Sequence, residues 1–246
     1  MISVVTWKWK QEGGRSSYDS AAVNTLHSMV RRNYPHLHNF VCVTDDTTGL
    51  DRHIVAAPLP DVFLDVENPL GPEYPRCHRR LALFGGLLDQ YIEDRFVSMD
   101  LDCVVVDDLS PLWDRDEDIV FWESPLRAPD YNGSMVMAKK GAHPELYDDF
   151  DPFWSPVKSQ RSRKLGSDQG WYSYRLPGKA VWTHTRDGVY AWNPQLQRRG
   201  YRLPQNARIV FFPGNDQPWH TSVQTRARWV NDHYRLNSRT SGVRRA

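Results

Sequence analysis

The chain has 246 residues, 40% of them hydrophobic and 25% charged, with a formal net charge of +1. That suffices for one large globular domain with its own core. No run approaches the roughly 18 consecutive apolar residues of a membrane span, and Met1-Ile2-Ser3-Val4-Val5-Thr6-Trp7 lacks the basic-then-apolar form of a secretory signal.

Residues 2–7 read as a first strand, buried from its start. Gly13-Gly14-Arg15-Ser16-Ser17 reads as a loop, and Ser20 as the cap of a helix over residues 21–32 with Val23, Leu26, His27 and Val30 on one face. His36 and His38 fall in the following loop and read as surface residues. Residues 40–44 form a second strand ended by Asp45-Asp46, and residues 53–58 a short third. Strand, helix, strand, short strand is the opening of an α/β sandwich on a mainly parallel sheet. The three cysteines, Cys42, Cys77 and Cys103, cannot all pair and form no C-x-x-C. They fit reduced thiols in a cytoplasmic protein and argue against a structural zinc site.

Residues 58–75 carry five prolines and read as loop. A helix is expected over residues 76–90, with Leu81, Phe84, Leu87 and Leu88 inward and Arg76, Arg79 and Arg80 sharing one face. It leads into Phe96-Val97-Ser98-Met99-Asp100-Leu101-Asp102-Cys103-Val104, which is apolar, then twice acidic, then apolar again. An unpaired carboxylate in such a setting loses several kcal/mol of solvation or shifts its pKa, so Asp100 and Asp102 call for a partner. On an extended backbone the two point to one side. Two hard oxygen ligands, with water and a diphosphate completing the shell, suit Mg²⁺ or Mn²⁺.

Residues 107–113 turn away, and residues 119–122 give another strand. Asn132-Gly133-Ser134 opens a further strand through a tight turn, and a helix starts at His143-Pro144. Residues 166–172 open a helix with Ser167 or Asp168 at its N-cap. Residues 208–212 form the last clear strand, stopped by Pro213-Gly214. With no repeat and no linker, the reading is a single domain over residues 1–235 and a basic, mobile tail over residues 236–246. Charge is uneven: residues 198–246 hold ten arginines against Asp216 and Asp232, while residues 89–118 hold eleven acids against two arginines. A solvated face or an anionic partner accounts for the basic part.

The order of these motifs resembles the GT-A-fold nucleotide-sugar glycosyltransferases, in particular the glycogenin-like and bacterial lipopolysaccharide galactosyltransferase-like group. The likeness rests on the first strand, the basic-led helix, the D-x-D at Asp100-Leu101-Asp102, the strand start at Asn132-Gly133-Ser134 and the D-Q at Asp168-Gln169, and spans about residues 1–219. It implies an α/β, GT-A-type three-layer sandwich with a mainly parallel, Rossmann-like central sheet. It further implies metal-dependent transfer of a sugar from a nucleotide diphosphate donor, a UDP-sugar, to an acceptor hydroxyl, with retention at the sugar carbon. In that pattern Asp100 touches donor and metal, Asp102 binds the Mn²⁺ or Mg²⁺ directly, and Asp168 and Gln169 lie at the reacting carbon. Asn132, Ser134 and Gly214 are expected at the donor, and Arg80 on its phosphates. Thr6, Trp7 and the Asp45-Asp46 pair follow the first two strands, where open α/β sheets bind ligands, and are expected around the nucleotide.

The closing motif of that group, H-x-G-x-x-K-P-W, survives only in part in residues 211–219. Phe211 or Pro213 stands for the histidine and Gln217 for the lysine, so a third metal ligand and part of the phosphate clamp must come from elsewhere, His220 and Arg208 being the substitutes nearby, or be absent. Beside each functional role stands a plain one: Trp7 in the core, the arginines on a solvated helix face, Asp168 as a cap, Asn132 and Ser134 as turn residues. No residue stands out as a general base, which suits a departing phosphate that takes the acceptor proton. The expected acceptor is a glycan, or a polyanion such as modified DNA held by the Arg-rich C-terminal part. The same residues also suit a non-catalytic nucleotide-sugar-binding protein or a nucleotidyltransferase using the D-x-D.

Overall fold

The computed structural model describes residues 1–10, 18–72 and 74–236. The glycine-serine loop at 13–17 and the tail from residue 237, with Arg239, Arg244 and Arg245, lie outside the described residues. Strand β1 (Ile2–Lys8) is buried along its whole length. Ile2 and Val4 enter one core cluster and Val5 and Trp7 another, the two-sided burial that a central parallel strand requires. The remaining strands are β2 (His38–Thr44), β3 (Val55–Pro58), β4 (Arg95–Met99), β5 (Cys103–Val105), β6 (Ile119–Glu123), β7 (Tyr131–Lys139), β8 (Ala180–Trp182), β9 (Val189–Ala191) and β10 (Ile209–Phe211).

Seven of them form one sheet in the order β3-β2-β1-β4-β7-β6-β8, and three form a second in the order β5-β10-β9. In the large sheet β7 runs against both neighbours, and the other pairings are parallel. Helix α1 (Ser20–Asn33) lays Val23, Leu26, Met29 and Val30 on one face of that sheet, in a cluster shared with the small sheet and with Leu112 and Trp113 of α2 (Ser110–Trp113). The opposite face is covered by a 3₁₀ turn at His78–Leu83 and by α3 (Glu145–Asp148), which supply Leu81 and Leu146. After α4 (Trp154–Arg161), helix α5 (Asp168–Arg175) adds Trp171 and Tyr172 to the same face. The result is a three-layer α/β sandwich with a mainly parallel central sheet.

The structure corrects three local expectations. The cap of α1 is Asp19, whose Oδ1 accepts the Ala22 amide at 3.0 Å, so Ser20 lies inside the helix. The helix expected over residues 76–90 is a 3₁₀ turn followed by bends. Gly86 takes a φ of +72°, and a Cβ on Gly85 would sit 2.5 Å from the Tyr147 ring, so the chain turns there and leaves Leu87 exposed. A 3₁₀ turn also separates neighbours that an α-helix would align: Arg80 points inward, while the Arg79 guanidinium lies 5.9 Å from the Trp9 ring centroid. Finally, the strand expected through residues 96–104 is two strands. The last rung of β4 pairs Met99 with Thr6, the Asp100 amide then turns to the Ser134 carbonyl at 2.9 Å, and β5 joins the other sheet. Asp100 and Asp102 therefore ride the crossing between two sheets and not a continuous strand. Among the described residues no helix is long and apolar enough to cross a membrane.

Candidate active site

A cleft of about 410 Å³ opens at the carboxyl ends of β1 and β4, where open parallel sheets leave room for ligands. Its floor is built around Arg80, which the 3₁₀ turn drives beneath Asp100 and Asp168. The Arg80 Nη1 lies 2.5 Å from Asp100 Oδ1 and also donates to the Gly133 carbonyl at 3.2 Å. Its Nε lies 2.8 Å from Asp168 Oδ2. A Cβ at Gly133 would come within 3.1 Å of both Asp168 carboxylate oxygens, so glycine there gives that carboxylate its room. Burial works against the Arg80 cation, and Asp100 and Asp168 overcome it, holding the guanidinium well above its ordinary range.

Asp168 starts α5 and is almost wholly buried. Its Oδ1 accepts the Gln169 amide at 2.9 Å and the Ser167 hydroxyl at 3.2 Å, so it is oriented from both sides. Gln169 reaches across to accept the Gly133 amide on Oε1 at 3.3 Å. Asn132 accepts the Ser134 amide at 2.8 Å, and both line the cleft with Gly214, whose φ of +115° turns the chain after β10. Asp100, Asp102, Asn132, Ser134, Asp168, Gln169 and Gly214 are thus brought together as expected from the sequence.

Asp102 differs from its neighbours. Its backbone carbonyl accepts the Phe212 amide at 2.8 Å, and its carboxylate is met by Tyr18 and Gln217. Among the described residues no ion pair reaches it. Burial, and then repulsion from Asp100, push its carboxyl up to about 7. Beside it the Gln217 Oε1 is buried without a partner. The floor therefore sets three carboxylates (Asp100, Asp102 and Asp168) against one guanidinium, an imbalance that suits a cation. No group of three or more His, Cys, Asp or Glu side chains gathers for a metal among the described residues, so protein ligation there would come from Asp100 and Asp102. Neither nearby substitute, for the third ligand or for the phosphate clamp, reaches the cleft. His220 is exposed and its Nδ1 accepts the Gln217 amide at 3.3 Å. Arg208 precedes β10, at the strand's far end, and donates to the Asp108 carbonyl at 2.5 Å, while Phe211 is stacked on Trp122 in the core.

Other expected residues sit apart. The Thr6 hydroxyl donates to the Met99 carbonyl at 3.0 Å inside the sheet, a link between β1 and β4 that leaves it turned from the cleft. Asp45 and Asp46 are exposed and outside the cleft wall, with Asp46 3.4 Å from the Lys8 amine. Arg80, expected on donor phosphate, is already committed to Asp100, Asp168 and Gly133, so it orients the carboxylates. Trp7 lines the cleft, but is largely buried, with its indole N–H on the Ser98 hydroxyl at 3.2 Å. The more open ring is Trp9, packed edge-on to Trp7 at 6.1 Å. Trp9, Tyr18, Tyr74 and the Asp130–Lys164 ion pair at the cleft wall escaped the sequence reading. The alternation Trp7-Lys8-Trp9 was the available signal for the first; the others carry none.

No protein-family model and no curated protein matches this sequence. Solved structures do. The galactosyltransferase LgtC in complex with donor and acceptor sugar analogs aligns with a TM-score of 0.61 at 14% identity, over 95% of this chain and 97% of that one. An active-site Gln-to-Glu mutant of LgtC aligns with a TM-score of 0.58 at 13% identity, over 95% and 97%. The glycosyltransferase GlyE of Streptococcus pneumoniae TIGR4 gives 0.59 at 12% identity, over 95% of this chain and 62% of that one. The fold is of the GT-A type.

Proposed function

We propose that this cleft transfers a sugar from a nucleotide diphosphate donor, a UDP-sugar, to the hydroxyl of a glycan acceptor. The observation that carries the reading is the pair Asp100 and Asp102, side by side in the cleft at the sheet crossing, with no basic side chain on Asp102 among the described residues. LgtC and GlyE, which share the fold, are described as a galactosyltransferase and a glycosyltransferase. A Mn²⁺ or Mg²⁺ ion held by Asp100 and Asp102 would supply Lewis-acid stabilisation of the departing diphosphate.

The chain's own residues do the remainder. Arg80 fixes the Asp100 and Asp168 carboxylates in place. Asp168 faces positive charge developing on the sugar ring, as an oxocarbenium-like transition state needs, and Gln169, anchored on Gly133, positions the reacting carbon. Trp7 and Trp9 offer apolar faces to the base. In the step itself the bond from the sugar carbon to the phosphate oxygen breaks, and a bond to the acceptor oxygen forms. The acceptor proton leaves with the phosphate oxygen. No histidine lines the cleft, and the Asp168 carboxylate is tied to Arg80, which favours this route and retention at the sugar carbon.

The test incubates the protein with a panel of UDP-sugars and Mn²⁺ and identifies the products. Release of UDP, abolished by chelation, is expected. Release of UMP or pyrophosphate instead would make the protein a phosphohydrolase or nucleotidyltransferase, and no turnover across the panel would leave a binding protein.

A further inference from the structure

Beyond the cleft, a groove of about 780 Å³ runs between the loop at residues 63–71 and the start of α4. The two hollows share a wall. Asn68 lines both, and its side chain pins the dividing loop by donating to the Pro75 carbonyl at 2.8 Å and accepting the Leu70 amide at 3.0 Å. Gln160 of α4 holds the same loop from the groove side, donating to the Pro69 carbonyl at 3.2 Å. Leu70 stands exposed on the cleft side of that wall.

At its end the groove is lined by Phe153, with Trp154 beside it and outside the groove wall. Phe153 is 68% and Trp154 51% exposed, packed edge-to-face with ring centroids 4.8 Å apart. Their placement is built. Asp151 Oδ1 accepts the amides of both, at 2.9 and 2.7 Å, and the Ser155 hydroxyl accepts the Asp151 amide at 2.9 Å. These bonds fix the backbone from which the two rings project, and the adjoining rings leave a contiguous apolar patch in water, the kind that marks a binding surface. The groove's charge narrows the occupant: among the described residues Asp65 and Glu67 line it and no lysine or arginine does, which disfavours a polyanion. Aromatic faces, carboxylates and an amide are the groups that meet the C–H faces and hydroxyls of a sugar.

We infer that this groove holds the remote sugar units of an extended, uncharged acceptor glycan whose reacting end lies in the cleft. The inference rests on the transferase reading, and its test separates the two. Maltohexaose, cellohexaose and chitohexaose, each beside its own disaccharide, are titrated by calorimetry against the wild-type chain and against F153A/W154A. Binding of UDP with Mn²⁺, and UDP release from donor without acceptor, are measured on both proteins. At least one hexasaccharide is expected to bind ten or more times tighter than its disaccharide. The double variant should lose that gain while keeping its UDP binding, its donor hydrolysis and its melting temperature. A variant that keeps the gain, or hexasaccharides that all bind like disaccharides, overturns the groove and leaves the transferase reading standing. A wild-type dimer that F153A/W154A dissociates in sedimentation makes the patch a self-association surface, and also overturns it. Failure of the transferase reading has its own sign, the absence of UDP binding and release in the wild-type chain.

Discussion

The two ends of the large sheet carry hollows of opposite character. At the amino end a depression of about 940 Å³ lies among Ile2, Arg95 and Lys140, more than twice the volume of the 410 Å³ cleft at the carboxyl end. Three of its basic side chains find partners close by. Arg95 donates to the Glu117 carbonyl at 2.9 Å, Lys140 to the Ile92 carbonyl at 3.0 Å, and Arg115 forks onto Glu117, holding that carboxyl down at about 2. At the carboxyl end Asp102 moves the other way, up to about 7. Size does not distinguish the two hollows; the surroundings of the acids do, Glu117 beside the depression being answered by Arg115 and Asp102 in the cleft by no basic side chain among the described residues. An upward shift alone does not mark a cation site, since burial also raises Asp168, which has Arg80 beside it; Asp102 is the raised acid that no basic side chain answers among the described residues.

The largest effect that would break or sharpen this contrast is expected at Arg80. Arg80→Met leaves Asp100 and Asp168 facing each other in a buried floor, and removing one member of a buried ion pair costs about 3–5 kcal/mol. Urea unfolding should show a loss of that size. A loss under about 1 kcal/mol would mean that the floor is solvated like the exposed pairs at the amino end. Arg80→Lys should fall between, because an ammonium cannot fork onto two carboxylates. Next in size is Asp102→Asn, expected to lower UDP release by about 10²–10³-fold, the usual cost of deleting one electrostatic stabiliser, with no loss of stability in the metal-free protein. Activity within tenfold of wild type would remove Asp102 from the chemistry.

A smaller effect follows from the sign of the Asp102 shift. Its folded pKa lies above the ordinary 3.8, at about 7, so the fold favours the protonated acid. Its contribution to stability is full below about 4 and is lost as pH rises through about 7. The metal-free wild type should therefore lose more melting temperature between pH 5 and pH 8 than Asp102→Asn does, at roughly 2–4 °C per kcal/mol. Mn²⁺ takes the ionised acid, so its stabilising effect should be larger at pH 8 than at pH 5. An equal Mn²⁺ shift at both pH values, or one that survives in Asp102→Asn, would place the ion elsewhere.

How much of this was legible in the sequence depends on how local the cause is. Uninterrupted runs such as Ile2-Ser3-Val4-Val5 and Phe40-Val41-Cys42-Val43 announce buried strands by themselves, and the two acids of the D-x-D stand out against Val97, Met99 and Val104. The Arg80 floor is different. It forms because Gly85 packs against Tyr147, which bends the expected helix, and because Gly133 leaves room for Asp168. Both are contacts between residues far apart in the chain. Thr6 shows the converse: it was expected just past the first strand but lies within β1, and its side chain's direction, toward Met99, is set by pairing with β4. The crossing at Asp100–Asp102 was hidden for a similar reason, since β5 leaves the large sheet only because β10 offers it a partner.

The smallest effect tests the amino end. Arg115 sits beside Glu117, whose side chain is 39% exposed, in a depression more voluminous than the cleft. If volume marked function, Arg115→Ala would disturb donor binding or turnover. If an acid without a basic partner marks it, the variant only releases a part-exposed acid. An exposed pair of this kind is worth about 0–1 kcal/mol, and adding salt should weaken it further. Unfolding of Arg115→Ala is thus expected within about 1 kcal/mol of wild type, the difference shrinking in 0.5 M salt, with UDP–Mn²⁺ affinity and UDP release unchanged. A loss of nucleotide affinity in this variant would move the functional end of the sheet, because Arg115 touches nothing in the cleft and its only charged partner in the described structure is Glu117.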